Sequence, residues 1–231
     1  RLQAHGLVTV NVFQNVDEFA GTHGGGEIAH IAAQLCSGAD LDFQRLTAIG
    51  ERQKQLAEEI LASWNSTDGM LAQMTKFPNQ RYADSHEAIA DLLRVQVTAL
   101  DTLKKKLGTP MGRQSKGIAQ PLQAEAWRSQ SSLQSLVASL SAAQTVWVGV
   151  DNKGLRGLLP SDQKPLADKI DAAYAASLKL FNDNQRTLSE LLADEAGRAQ
   201  LDAIYDSLNV VHRLHEGELA KALGIQLGFN A

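Results

Sequence analysis

Three stretches of this chain bring together side chains that could do chemistry. The first is GTHGGGEIAH, residues 21–30. His23, Glu27 and His30 are four and three positions apart, so on a helix they would share one face. Two imidazoles and a carboxylate form a donor set for a divalent metal; a hydrolytic metal would also need an open coordination position. Gly24, Gly25 and Gly26 support a different reading. Each glycine in a helix interior costs about 0.8–1.0 kcal/mol relative to alanine. A loop then ends at the glycines and a helix starts near Glu27, whose charge is favoured at a helix N-terminus. His30 falls on its first turn, and Ile28, Ile31 and Leu35 point inward.

The second stretch is EAWRSQSS. If a helix starts at Pro121, Glu125, Arg128 and Ser132 lie along one strip of it, and Ser129 falls within its apolar face. The arginine offers a planar fork of donors to a carboxylate or other oxyanion. The plainer role is a Glu125–Arg128 pair that helps the helix by a few tenths of a kcal/mol. The third stretch is VVHRLHEGEL. With Leu201 and Leu219 centring the apolar stripe, His212 and His215 fall inside it and Glu216 at its edge. Inward histidines need partners for their ring N–H groups. They are either hydrogen-bonded core residues or metal donors facing a cleft.

These groups must be positioned by helices. Leu46, Ile49, Gln53, Leu56, Ile60 and Trp64 recur every three or four positions and predict an amphipathic helix from Asp40, ended by NSTDG. A short piece follows over Met70–Lys76. Ser85 is the expected N-cap of a helix whose stripe is Ile89, Leu92, Leu93, Leu100, Leu103 and Leu107. Lys104, Lys105 and Lys106, with Arg113 and Lys116, read as a solvated helix end and loop. Further helices are expected from Pro121 to Val148, after a cap at Ser161, over Leu188–Leu192, and from Glu195 to Leu223. LVTVNVF alternates like a strand, but a strand without partners is implausible, so it reads as helical or irregular. The pattern is all-α.

The chain has 231 residues, 44% of them hydrophobic and 21% charged, which fits a globular protein with a sizeable core. A net charge of -4 argues against nucleic acid as a general partner. The single cysteine, Cys36, excludes an internal disulfide. No uninterrupted apolar run approaches the roughly 20 residues of a membrane span. The chain opens on Arg1, which implies that preceding residues have been removed.

LGTPMG, then EAWRSQSSLQSL, GLRGLL and a terminal LGFNA resemble, in order and spacing, the second half of imelysin-like proteins. The resemblance runs from Leu107 to the C-terminus. It implies an all-α fold of two tandem four-helix-bundle-like halves with a cleft between them, here residues 1–107 and 108–231, the first half incomplete. It implies a bacterial periplasmic or outer-surface location, with membrane attachment through an N-terminal lipid anchor missing from this sequence. The family hallmark, G-x-H-x-x-E, has its nearest match at Gly21, His23 and Glu27, with one residue too many between the last two. The resemblance thus implies one of two functions. The first is a binding protein linked to iron uptake, taking iron, another small ligand or an acidic polysaccharide between the two bundles, at Glu125, Arg128, Ser129 and Ser132. The second is a metallopeptidase using a divalent metal at His23, Glu27 and His30, with His212 and His215 as further donors. A third class is a helical interaction module with no small-molecule site.

Overall fold

A computed structural model describes residues 40–227, with side chains from residue 46 onward. Among the described residues every regular element is helical. The chain divides into two compact units, Arg1–Ala83 and Asp84–Ala231. His23, Glu27, His30, Cys36 and LVTVNVF lie outside the described residues.

The first unit contains α1 (Asp40–Trp64) and α2 (Met70–Gln73). The apolar period sets the bounds of α1 as expected. Its stripe, however, does not face inward: Leu46, Ile49, Leu56, Ile60 and Trp64 are all exposed. The turn after α1 closes at Gly69, where a Cβ would stand 2.3 Å from the Ser63 carbonyl oxygen, so only glycine fits.

The second unit is built on α3 (Ser85–Gly108), α4 (Ser132–Val148), α5 (Lys164–Asn182) and α7 (Glu195–Arg213), with the short α6 (Leu188–Leu192) before α7. Helix α3 packs on α4 and α7, and α5 packs on α4 and α7, which closes a four-helix bundle. Its core interleaves Leu93, Leu100 and Leu107 of α3 with partners from the other three helices. Helix α3 belongs to this unit, Asp84–Ala231. The N-cap of α3 is Asp84, one residue earlier than expected, and its carboxylate accepts from the backbone N–H groups of His86 and Glu87. Helix α5 is preceded by a 3-10 turn at Ser161–Gln163, so Ser161 does not cap it. Thr187 and Glu190 cap α6 reciprocally.

Helix α4 starts at Ser132, well after Pro121. Pro121–Gln123 makes one 3-10 turn, and the backbone then turns left-handed at Ala126 and Gln130. Serine hydroxyls take up backbone carbonyls that a helix would have used: Ser129 Oγ donates to Ala126 O at 3.1 Å, and Ser132 Oγ donates to Glu125 O. Ser132–Asn152 is long and apolar enough to cross a membrane by length and composition, although no uninterrupted apolar run marks it. Its Leu136, Leu140 and Trp147 are buried in the bundle core.

GLRGLL is a structural clamp. Arg156 Nε donates to Asp171 Oδ2 at 2.9 Å, and the buried Trp147 Nε1 donates to Asp171 Oδ1 at 2.7 Å. Gly149 (φ 71°) lets the chain turn between them; a Cβ there would meet Gly154 N at 2.1 Å.

Candidate functional site

Helix α7 runs on without a break into a π-helical turn, Leu214–Leu219, and then α8 (Ala220–Ala222). π turns are rare and frequently accompany functional sites. Leu214, His215 and Leu219 of this one are all buried.

His215 sits in the bundle core with no solvent exposure. Its tautomer follows from its partners. Nδ1 lies 2.8 Å from the Val211 carbonyl oxygen, which can only accept, so Nδ1 carries the proton. Nε2 then accepts from the Tyr174 hydroxyl at 3.3 Å. The Tyr174 oxygen in turn accepts from Gln96 Nε2 at 3.0 Å, and Gln96 also donates to Ala143 O at 2.7 Å. Trp147 and Tyr174 meet the imidazole edge to face, at 5.6 and 5.5 Å between centroids. Burial pushes the His215 pKa down from 6.5 to about 4, so the ring is neutral at pH 7. Burial likewise raises the Tyr174 hydroxyl far above its usual range.

One turn earlier lies a second cluster, nearer the surface. Lys104, a residue of the basic run, is buried and not solvated. Its ammonium donates to His212 Nδ1 at 3.1 Å and Asn209 Oδ1 at 3.2 Å, and stands 3.5 Å from Asp101 Oδ1. Two of these partners accept hydrogen bonds from the ammonium, and the Asp101 carboxylate adds a charge partner. Glu216 Oε2 lies 3.8 Å from His212 Nδ1. Burial first, then the Lys104 charge, holds the His212 pKa below its usual value, against the pull of Glu216 and Asp101. The Lys105 hydrogen bond lowers the Asp101 carboxyl.

The two histidines are thus one turn apart, but each ring is committed. The Nδ1 lone pair of His212 is taken by Lys104, and the Nε2 lone pair of His215 by Tyr174. These rings do not fit a shared metal, and no chemistry is derived through one. No group of three or more His, Cys, Asp or Glu side chains is arranged to hold a metal ion among the described residues.

The EAWRSQSS residues stay together, on a loop and not on a helical strip. Glu125 Oε2 pairs with Lys106 Nζ at 2.7 Å. The Arg128 guanidinium lies over the Trp127 ring, 4.3 Å from its centroid, and does not pair with Glu125. Ser129 Oγ lies 2.6 Å from Ser131 Oγ, and the buried Ser132 ties the loop to the start of α4. Glu125, Arg128 and Ser129 are exposed. Lys106 also lines a groove of about 490 Å³ that follows α3 past Val95, Thr98, Thr102 and Leu103 to Arg94, with Ser139 of α4 opposite. Arg94 and Lys106 stand about 18 Å apart along the α3 axis at 1.5 Å per residue. The groove is floored by apolar atoms, edged by hydroxyls and bounded by two cations, each already paired with a carboxylate: Arg94 with Asp91 and Lys106 with Glu125.

Lys104 and the groove were missed from sequence, but Lys104 did carry a signal. It lies on the inward line of α3, four residues after Leu100 and three before Leu107.

Compared with known proteins, the chain matches a family model described as Imelysin over residues 20–215. No curated protein and no solved structure matches it.

Proposed function

The chain belongs to the imelysin family, and from that premise we propose that it is an extracytoplasmic binding protein whose ligand lies along the α3 groove and against the loop carrying Glu125, Arg128, Ser129 and Ser132. The observation that carries this reading is the Lys106–Glu125 ion pair. It joins the loop to a groove that already has a cation at each end. An elongated, apolar-floored groove ending in Arg94 and Lys106 suits a ligand with separated negative charges that displace the Asp91 and Glu125 carboxylates now paired with those cations. Iron held in an anionic carboxylate chelate meets that description and agrees with a role in iron uptake; an acidic polysaccharide is the next candidate. Family membership supports a place in the periplasm or on the outer surface, with lipid attachment upstream of Arg1. The peptidase reading depends on His23, Glu27 and His30, and no feature of the described residues favours it.

The test is calorimetric titration with ferric citrate and, separately, with an oligouronate. Lys106→Ala and Arg128→Ala should each weaken binding of the true ligand about tenfold, the equivalent of one charge-assisted contact of about 1.4 kcal/mol. Wild-type affinity in both variants would refute the site.

A further inference from the structure

The Nδ1 atom of His212 faces two groups of opposite charge. Lys104 Nζ stands 3.1 Å from it and Glu216 Oε2 3.8 Å. An ammonium can only donate, so the ring accepts at Nδ1, carries its proton on Nε2 and is neutral. A second proton would enter at Nδ1. The Lys104 contact would then oppose two donors and two positive charges, and the Glu216 contact would join a donor to an anion. Lys104 would not be stranded, because it keeps Asn209 Oδ1 at 3.2 Å and Asp101 Oδ1 at 3.5 Å. We propose that Lys104, His212 and Glu216 form a proton-operated switch, in which charging the ring moves its Nδ1 from Lys104 of α3 to Glu216 of the π turn.

The place of these groups in the fold gives the exchange a consequence. His212 lies in the last turn of α7, and Glu216 in the π turn that follows. That turn packs on α3 and α5. With the ring neutral, Lys104 ties α3 to the end of α7. With the ring charged, that tie loses one of its acceptors, and Glu216 is drawn toward α7. Gly217 lies beside Glu216 within the turn. A Cβ there would meet nothing within 4 Å, so no close approach demands glycine. Glycine weakens a helical backbone relative to alanine, which leaves this turn able to yield when Glu216 is pulled. The charged and titratable groups that face His212 are Lys104 and Asp101 of α3, and Arg213, His215 and Glu216 of its own helix. Lys105 in turn holds Asp101 at 2.7 Å. Helix α5 meets the π turn with Tyr174, bonded to His215, and Lys169, paired with Glu218. Burial and the Lys104 charge place the transition on the acid side of the ordinary histidine value of 6.5. His215, with a pKa of about 4, is still neutral at the start of that range.

NMR of the full chain, labelled with nitrogen-15 and titrated from pH 7.5 to 5, tests the proposal. At pH 7.5 the His212 ring shifts should report a proton on Nε2 alone. As the ring charges, amide hydrogen exchange at Glu216, Gly217 and Glu218, corrected for the intrinsic rate at each pH, should speed up severalfold with the same midpoint. Glu216→Gln keeps the shape of a half-buried side chain and removes its charge. It should lower the proton affinity of His212 about threefold, the worth of a modest ion pair, and abolish the change in exchange. Gly217→Ala should leave the His212 midpoint in place and shrink the change in exchange. A ring protonated on Nδ1 at pH 7.5 would overturn the proposal. So would a His212 titration with no matching change at Gly217, or an unaltered midpoint in Glu216→Gln.

Discussion

The most informative perturbation is a proton delivered to the bundle core. His215 is fully buried and neutral, with a pKa of about 4 against 6.5 for the free side chain. Its folded value is depressed, so the unfolded chain takes up a proton at His215 below pH 6.5 that the folded chain refuses until about pH 4. Stability therefore falls as pH drops through this window, by about 1.36 kcal/mol per unit for one group. Over the interval from 6.5 to about 4 the loss is roughly 3 kcal/mol, a large fraction of the 5–15 kcal/mol that holds a typical domain. His212 acts in the same direction. Carboxylates held low by their partners, such as Asp101 and Glu190, lose their contribution as pH falls through their ordinary values of 3.8 and 4.5, so the imidazoles dominate the part of the window above about pH 5. The assay is urea denaturation at pH 7.5, 6.5, 5.5 and 4.5, read from Trp147 fluorescence in a Trp64→Phe, Trp127→Phe background. His215→Phe should lower stability at pH 7.5 by about 1–3 kcal/mol, because Tyr174 loses its acceptor. It should also flatten the dependence on pH between 6.5 and 4.5. An identical slope in the variant and its parent would refute the assignment of that proton to His215.

Two further outcomes follow from the same bundle. The Ser177 hydroxyl is fully buried and finds no hydrogen-bond partner among the described residues. Ser177→Ala should therefore stabilise the second unit by about 1 kcal/mol in the same denaturation assay, and a loss of stability would show that the hydroxyl is satisfied. Lys104→Met keeps much of the buried stem and removes the charge facing His212. The His212 pKa, followed by NMR titration of the ring, should rise toward the free value; an unchanged or lower value would remove Lys104 as a cause.

Much of the bundle was legible because apolar periodicity and helix bounds are both local signals. The stripe of α7 placed His212 and His215 inside, and both rings are buried. Their partners were not legible. Tyr174 and Gln96 reach His215 from helices 41 and 119 positions away in number (215 − 174 and 215 − 96), and only packing brings them together. The helix expected from Pro121 failed for a nearer reason. The spacing of Glu125, Arg128 and Ser132 fits a helical strip, but Ser129 and Ser132 bond backbone carbonyls within the loop, and the chain turns left-handed twice before α4 begins. Lys104 was misread because three consecutive lysines suggest a solvated end, although only one position in a helical run of three can point inward. The run conceals that choice; the Leu100–Leu107 line resolves it.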